Sequence, residues 1–360
     1  MTSFTSNIAF FKEGEKKHQD SKKGLPGRIP VCSQMHEFAM KELGVSPGEF
    51  YITPELIVTG TLQVMQKYGI DMPYFDFDVY NIEAEALGQE VIYSDDKTPE
   101  LVRSRPLIRD RKDLRKIRTP NFDSDGRFIQ IIEMHKLYRK YSGGTEPDPR
   151  ITGPFTLAAT LRGLSNLLMD IYTDPDFVCE LLDRIVENVL APWALRLKKE
   201  FPNLTGISAD DAMGSLPIVN LDILKNWIIP NFLRLQDLAG PEIYIPNWVG
   251  EHFLDDPEEM LNLKNQVCQA FVEGQDPDIE KLGVKFYRDY AQKKNLPLVL
   301  GVGATFLDSA TPDEVAKRVL HYIKVGGKNG KLILLLCNLS AATPPENVRA
   351  AMEVVKTFKD

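Results

Sequence analysis

Eight short apolar runs, rich in β-branched and aromatic residues, punctuate the chain, and between them lie longer stretches with apolar residues three and four apart. That alternation constrains the fold more than any other feature, because strands joined by helical crossovers run parallel and form a sheet that helices must cover. The runs are RIPVCSQ (28–34), MPYFDFDVY (72–80), PRITGPF (149–155), LTGISADD (204–211), EIYIPNW (242–248), QAFVEGQD (269–276), PLVLGVGA (297–304) and KLILLLCN (331–338). Eight such runs point to an α/β fold of the (β/α)8 TIM barrel type, as a single domain, more than to an open sheet. The intervening segments carry helix punctuation. An Asp-Pro start opens the amphipathic stretch 174–200, and TPDEVAKRVLHYIKVGG (311–327) has a Thr cap, a Pro at the first helical position, early acids and a Gly-Gly stop. The irregular stretch is 81–121, after the second run, which predicts an inserted hairpin or lid over the barrel mouth. No repeat or low-complexity tract divides the chain, so residues 1–27 read as an N-terminal extension and 28–360 as the barrel.

Composition excludes several classes. Hydrophobic residues at 43% and charged residues at 26% allow a sizeable core. The formal net charge of −8 argues against nucleic acid as a partner, and no apolar run is long enough to predict a membrane span. The basic cluster 103–118 carries acids too and reads as a solvated helix face. Four scattered cysteines without a CxxC pair, and charges where a secretory leader needs an apolar stretch, predict a reducing, cytoplasmic setting.

In a barrel the chemistry sits at the C-terminal ends of the strands, so strand-end polar residues form the shortlist. These are Gln34 and His36; Asp76 and Asp78; Asp210 and Asp211; Asn247 with Glu251 and His252; Glu273 with Gln275 and Asp276; and Cys337 with Asn338. Each has a bland reading beside the functional one. Cys337 can be a buried small hydrophobe, Asp210 and Asp211 can cap a turn, His252 can be a loop histidine, and Asp276 before Pro277 can cap the next helix. In FDFD the acids alternate with aromatics, which places Asp76 and Asp78 on one strand face and makes Asp78, nearest the strand end, the better functional candidate. A thiolate beside imidazole and carboxylate suits zinc, although no tight spacing motif announces a metal.

The order and wording of several phrases resemble the uroporphyrinogen decarboxylase superfamily, which also contains the zinc-dependent cobamide (corrinoid) methyltransferases. They are AEALGQEV (84–91), GPFTLAATLRGLSNLLMDIYTDPDFVCELLDRI (153–185), ADDAMGSL (209–216), EGQDPDIEKLG (273–283) and CNLSAATPPENVRAAMEVV (337–355). The resemblance implies a (β/α)8 barrel and is nearer to the methyltransferase branch. The decarboxylases' Arg-Gln-Ala-Gly-Arg at the first strand end is replaced here by CSQMHEF, their Tyr falls near Thr160, and their final His falls on Cys337. In the methyltransferases a Cys at the place of Cys337 is a zinc ligand. Their remaining pair, His-x-Cys-Gly, is replaced here by Asn247, Trp248, Val249 and Gly250. The resemblance therefore implies a methyl transfer between a small methylated substrate, such as an aryl methyl ether in an O-demethylation or a methylamine, and a corrinoid protein as partner. Zinc would be held by Cys337 with His252, Glu251 or Glu273. Asp78, Asp210 and Asp211 are the expected catalytic residues, and Gln34, His36, Asn247, Trp248 and Asn338 the expected substrate contacts. The chain has no Asp-x-His-x-x-Gly motif to ligate a corrinoid of its own. The alternatives are a metal-free decarboxylase and a non-catalytic small-molecule binder, and a homodimer is compatible with each.

Overall fold

In the computed structural model, which describes residues 4–25, 27–75, 77–328 and 331–358, each of the eight runs contains a strand. They are β1 (Val31–Ser33), β2 (Met72–Pro73), β3 (Arg150–Thr152), β4 (Ile207–Asp210), β5 (Ile243–Tyr244), β6 (Val272–Gln275), β7 (Leu298–Val302) and β8 (Leu332–Leu336). All their pairings are parallel. One arc runs β2-β1-β8-β7-β6 and the other β3-β4-β5, so neighbours follow chain order and β8 returns to β1, with Cys32 opposite Leu335. This is the strand order of an α/β barrel.

The period of two explains why these runs can be so apolar. In β8, Leu332, Leu334 and Leu336 join the large core beneath the helices, whereas Ile333 and Leu335 point inward with Cys32, Met72 and Val299. Both faces are buried, as parallel strands require.

Among the described residues the two arcs are not joined by backbone ladders; buried charged side chains take edge groups at both seams. Between β2 and β3, the Glu83 carboxylate accepts the Thr152 N–H at 3.1 Å and the Thr152 hydroxyl at 2.7 Å. Between β5 and β6, the Lys264 ammonium donates to the Glu273 carbonyl at 2.9 Å and to Glu251 at 2.6 Å. An edge group left unpaired in the interior would cost about 1–3 kcal/mol, which these side chains offset.

The helix expected over 174–200 is continuous, but Ile185–Leu190 is wound as a π-helix just before Pro192. A second π segment, Leu224–Ile228, precedes Pro230 in the same way. Proline lacks an N–H and crowds the carbonyl four residues back, and a wider turn relieves both problems without ending the helix.

Two expectations need correction. The run 72–80 is strand only at Met72–Pro73; after it the chain bends, Phe75 and Phe77 enter the core, and a helix starts at Val79. Asp78 therefore stands at a helix start and not on a strand face, while Asp76 lies outside the described residues. The stretch 103–118 has a single 3-10 segment, Arg111–Lys116, in place of a helix face. The N-terminal segment is a helix, Ile8–Lys22, laid across the strands' N-terminal ends. Phe11 is buried, the Ser21 hydroxyl donates to the Leu332 carbonyl at 2.7 Å, and a Cβ at Gly14 would collide with the Asp71 carbonyl. The expected insertion is present as a hairpin, Val91–Ile92 antiparallel to Glu100–Leu101. No helix of the described residues is long and apolar enough to cross a membrane.

Candidate active site

A cavity of about 930 Å³ opens at the C-terminal ends of the strands. Its walls come from three places: Gln34, His36 and Asn338 at the ends of β1 and β8; Thr156 and Thr160 with the following helix start at Gly163–Asn166; and Ala212 and Met213 after β4. The hairpin roofs it through Lys97 to Leu101 and Arg103, with Asp78 and Tyr80 beneath. This volume lies in the range of small-molecule sites.

Local backbone explains how the strand ends present their side chains. Asn338 has φ +44°, a left-handed conformation that Asn tolerates better than most residues, and its Oδ1 is buried with no hydrogen-bond partner among the described residues. His36 is the first residue of helix His36–Leu43, and its Nδ1 lies 2.6 Å from the hydroxyl of buried Tyr51. Asp78 borders the cavity but is tied to Arg127 and Asn81.

Below the cavity the barrel axis is charged. Arg150 of β3 grips Asp210 of β4 through Nε at 2.7 Å and Nη2 at 2.5 Å, and the Ser208 hydroxyl donates to Asp210 at 2.8 Å. The guanidinium stacks over Tyr74, whose hydroxyl is 3.4 Å from Glu273. Burial pushes the Glu273 carboxyl up to about 7, partly offset by Gln275, Lys264 and Arg150. Asp211 is fully buried; burial raises it to about 6 against the hydrogen bonds from Thr156, whose N–H is 2.6 Å away, and its second oxygen has no partner among the described residues. Burial thus holds both acids above the ordinary carboxylate range.

The four expected metal donors do not converge. Cys337 points inward and packs against Gly301 and the interior apolar cluster, and burial, reinforced by Glu273 and Asp276, holds its thiol well above the ordinary range. Glu273 is engaged by Gln275 and Tyr74. Glu251 and His252 follow Gly250, whose φ of +109° turns the chain outward, and they sit between barrel and helices. There Glu251 is bound to Lys264 and Tyr287, and His252 Nδ1 to Asp278. Among the described residues no three His, Cys, Asp or Glu side chains are grouped so as to hold a metal, so this donor set does not fit zinc.

Trp248 and Asn247 are placed away from the cavity as well. The Trp248 Nε1 donates to the Asp211 carbonyl at 3.0 Å, Asn247 Oδ1 accepts the Asp211 N–H at 3.0 Å, and its Nδ2 donates to the Tyr80 hydroxyl at 2.9 Å, so both residues shape the loop after β4. Asp276 does not cap the helix that follows it; its carboxylate takes the Gly303 N–H at 3.0 Å and Arg318 at 2.8 Å. Of the shortlist, Gln34, His36, Asp78 and Asn338 line the cavity, and Asp210, Glu273 and Cys337 lie in the axis below it. Arg150 was missed, although its alternation with Ile151 in PRITG marks it as inward-facing. Thr156 and the roof residues Lys97 and Arg103 carried no such signal.

Residues 21–193 match the model of the family described as uroporphyrinogen decarboxylase (URO-D), so that stretch of the chain is similar to the superfamily that joins these decarboxylases with methyltransferases. More particularly, it is similar to a methylated-thiol--coenzyme M methyltransferase of Methanosarcina mazei, with 23% identity over 301 residues covering 80% of this chain and 73% of the relative. A solved structure, a methyltransferase from Methanosarcina mazei, superposes with a TM-score of 0.74 at 19% identity over 95% of this chain and 98% of that one, which shows a common fold.

Proposed function

We propose that the protein is a methyltransferase that takes a methyl group from a small methylated compound and passes it to a corrinoid carried by a partner protein. The observation that carries this reading is the likeness to the methylated-thiol methyltransferase across 80% of the chain, which makes methylated thiols the first substrates to try, ahead of aryl methyl ethers and methylamines. The roofed cavity supports it. A methyl carbon attacked in line needs donor and acceptor held face to face with water kept out, and a cavity between strand ends and a hairpin roof provides that arrangement. Gln34 and Asn338 offer amide groups to orient the substrate, and the Arg150–Asp210 pair fixes the polar floor. No step is routed through zinc, because the residues that the resemblance nominated stand apart.

A metal-free decarboxylase would need cations free to hold an acid. Arg150 is committed to Asp210, and Lys97 is paired with Glu100 at 2.6 Å, which among the described residues leaves Arg103 on the roof as the cation available to hold an acid. The methyl-transfer reading is tested anaerobically with purified protein, free cob(I)alamin as acceptor, and dimethyl sulfide, 3-(methylthio)propionate, 2-methoxyphenol and trimethylamine as donors. Enzyme-dependent loss of the cob(I)alamin absorbance with at least one donor is expected. Absence of transfer from every donor, in both directions, would overturn the proposal.

A further inference from the structure

We infer that His36, aligned by Tyr51, is the general acid that protonates the departing heteroatom as the methyl group leaves. This rests on the methyl-transfer reading and assigns it a proton donor.

The inference begins with geometry. His36 is a cavity-lining histidine at the end of β1, and its Nδ1 is held 2.6 Å from the Tyr51 hydroxyl. Tyr51 is 1% exposed, and its ring meets the imidazole edge-on with centroids 5.7 Å apart. With Nδ1 occupied, the nitrogen left for a ligand is Nε2. In the imidazolium Nδ1–H donates to the Tyr51 hydroxyl oxygen, and when Nε2 gives up its proton Nδ1 keeps its own, so the same hydrogen bond persists. The ring thus keeps one orientation through a protonation cycle, which is what an acid catalyst requires and a structural histidine does not. The other ionisable groups around the cavity are Glu37 on the same helix, Asp78 and Tyr80 below, and Lys97, Glu100 and Arg103 on the roof. Asp78 is committed to Arg127, and Lys97 to Glu100.

The step balances as follows. The bond between the methyl carbon and its heteroatom breaks, the acceptor's electron pair, on a reduced corrinoid, forms the new bond to carbon, and the old bonding pair stays on the heteroatom. That atom takes the Nε2 proton of the imidazolium, giving a neutral thiol or alcohol. The imidazole regains a proton from solvent at the mouth.

The experiment measures methyl transfer to cob(I)alamin for wild type, His36→Gln and Tyr51→Phe across methyl thioethers and methyl ethers whose leaving groups span a wide range of acidity. His36→Gln should lower kcat about 10²-fold for the most basic leaving group with little change in KM, and the loss should shrink steadily as the leaving group becomes more acidic. Tyr51→Phe should keep KM and lose about tenfold in kcat for the most basic leaving group, with that loss shrinking in the same way as the leaving group becomes more acidic. A wild type that transfers methyl while His36→Gln loses nothing, or loses the same factor for every leaving group, overturns the role of His36 alone. A wild type inert on the whole panel overturns the methyl-transfer reading and this assignment with it.

Discussion

Replacing Lys264 with Met removes the ammonium that bridges the seam between β5 and β6 while keeping an unbranched side chain of similar reach. Its Nζ is 2.6 Å from Glu251 and 2.9 Å from the Glu273 carbonyl, and the paired side chains are 9% and 1% exposed. Removing one partner of a buried ion pair costs about 3–5 kcal/mol, because the survivor keeps its desolvation cost without its counterion. The carbonyl of Glu273, an edge group of β6, loses its partner in the same change, which adds about 1 kcal/mol or more. Against this, burial already pushes the Glu251 carboxyl upward, so it can take a proton once the ammonium is gone, and Tyr287 stays beside it. The lower end of the range, about 3 kcal/mol, is therefore expected. The assay is urea unfolding followed by circular dichroism at pH 7.5 for Lys264→Met, Glu251→Gln and the double variant. Coupling of at least about 1 kcal/mol is expected, with the double variant more stable than the sum of the single losses predicts. A Lys264→Met loss below about 0.5 kcal/mol, or strict additivity, would refute the view that this side chain closes the seam.

Two further outcomes are expected. The carboxyls of Glu83 and Glu273 are raised to about 7 and that of Asp211 to about 6, so their protonated forms stabilise the fold fully below the unfolded values and that contribution is lost as pH rises through the folded ones. The buried histidines act in the opposite direction: burial lowers His135 to about 4 and His18 to about 3, and stability is lost as pH falls below the unfolded histidine value. Urea midpoints should therefore fall between pH 6 and 8, and Glu273→Gln should flatten that fall; an unchanged slope would contradict the assignment. Exposed Cys179 should react with iodoacetamide at pH 8 well before Cys337, whose thiol is held protonated, as mass spectrometry of the labelled peptides can read; faster labelling of Cys337 would show a thiolate that this geometry does not allow.

The barrel was legible because its signals are local. Apolar runs of period two and capped helices survive in any tertiary setting, and the Thr cap expected at Thr311 forms, with Glu314 completing a capping box. The site was only half legible. Gln34, His36 and Asn338 follow directly from where strands end. Glu251 and His252 were misplaced because a single glycine with positive φ turns them out of the mouth, a backbone choice that the sequence permits but does not announce. Asp78 was misread because FDFD alternates without being a strand: both phenylalanines are buried in a bend, and the acid meets Arg127 from a helix start 49 residues further along the chain. Ion-pair partners at such separations carry no local periodicity.

The return of β8 to β1 also sets a schedule for biosynthesis. Ser33 pairs with Leu336, so although β2 reaches one edge of the first strand early, the neighbour on its other edge is made about 300 residues later. At translation rates of about 5–20 residues per second, that edge waits roughly 15–60 seconds, with its backbone donors and acceptors unpaired and with Val31 and Cys32 uncovered. A nascent chain of this design needs shelter, from a holdase or from its own N-terminal helix, until its last strand leaves the ribosome.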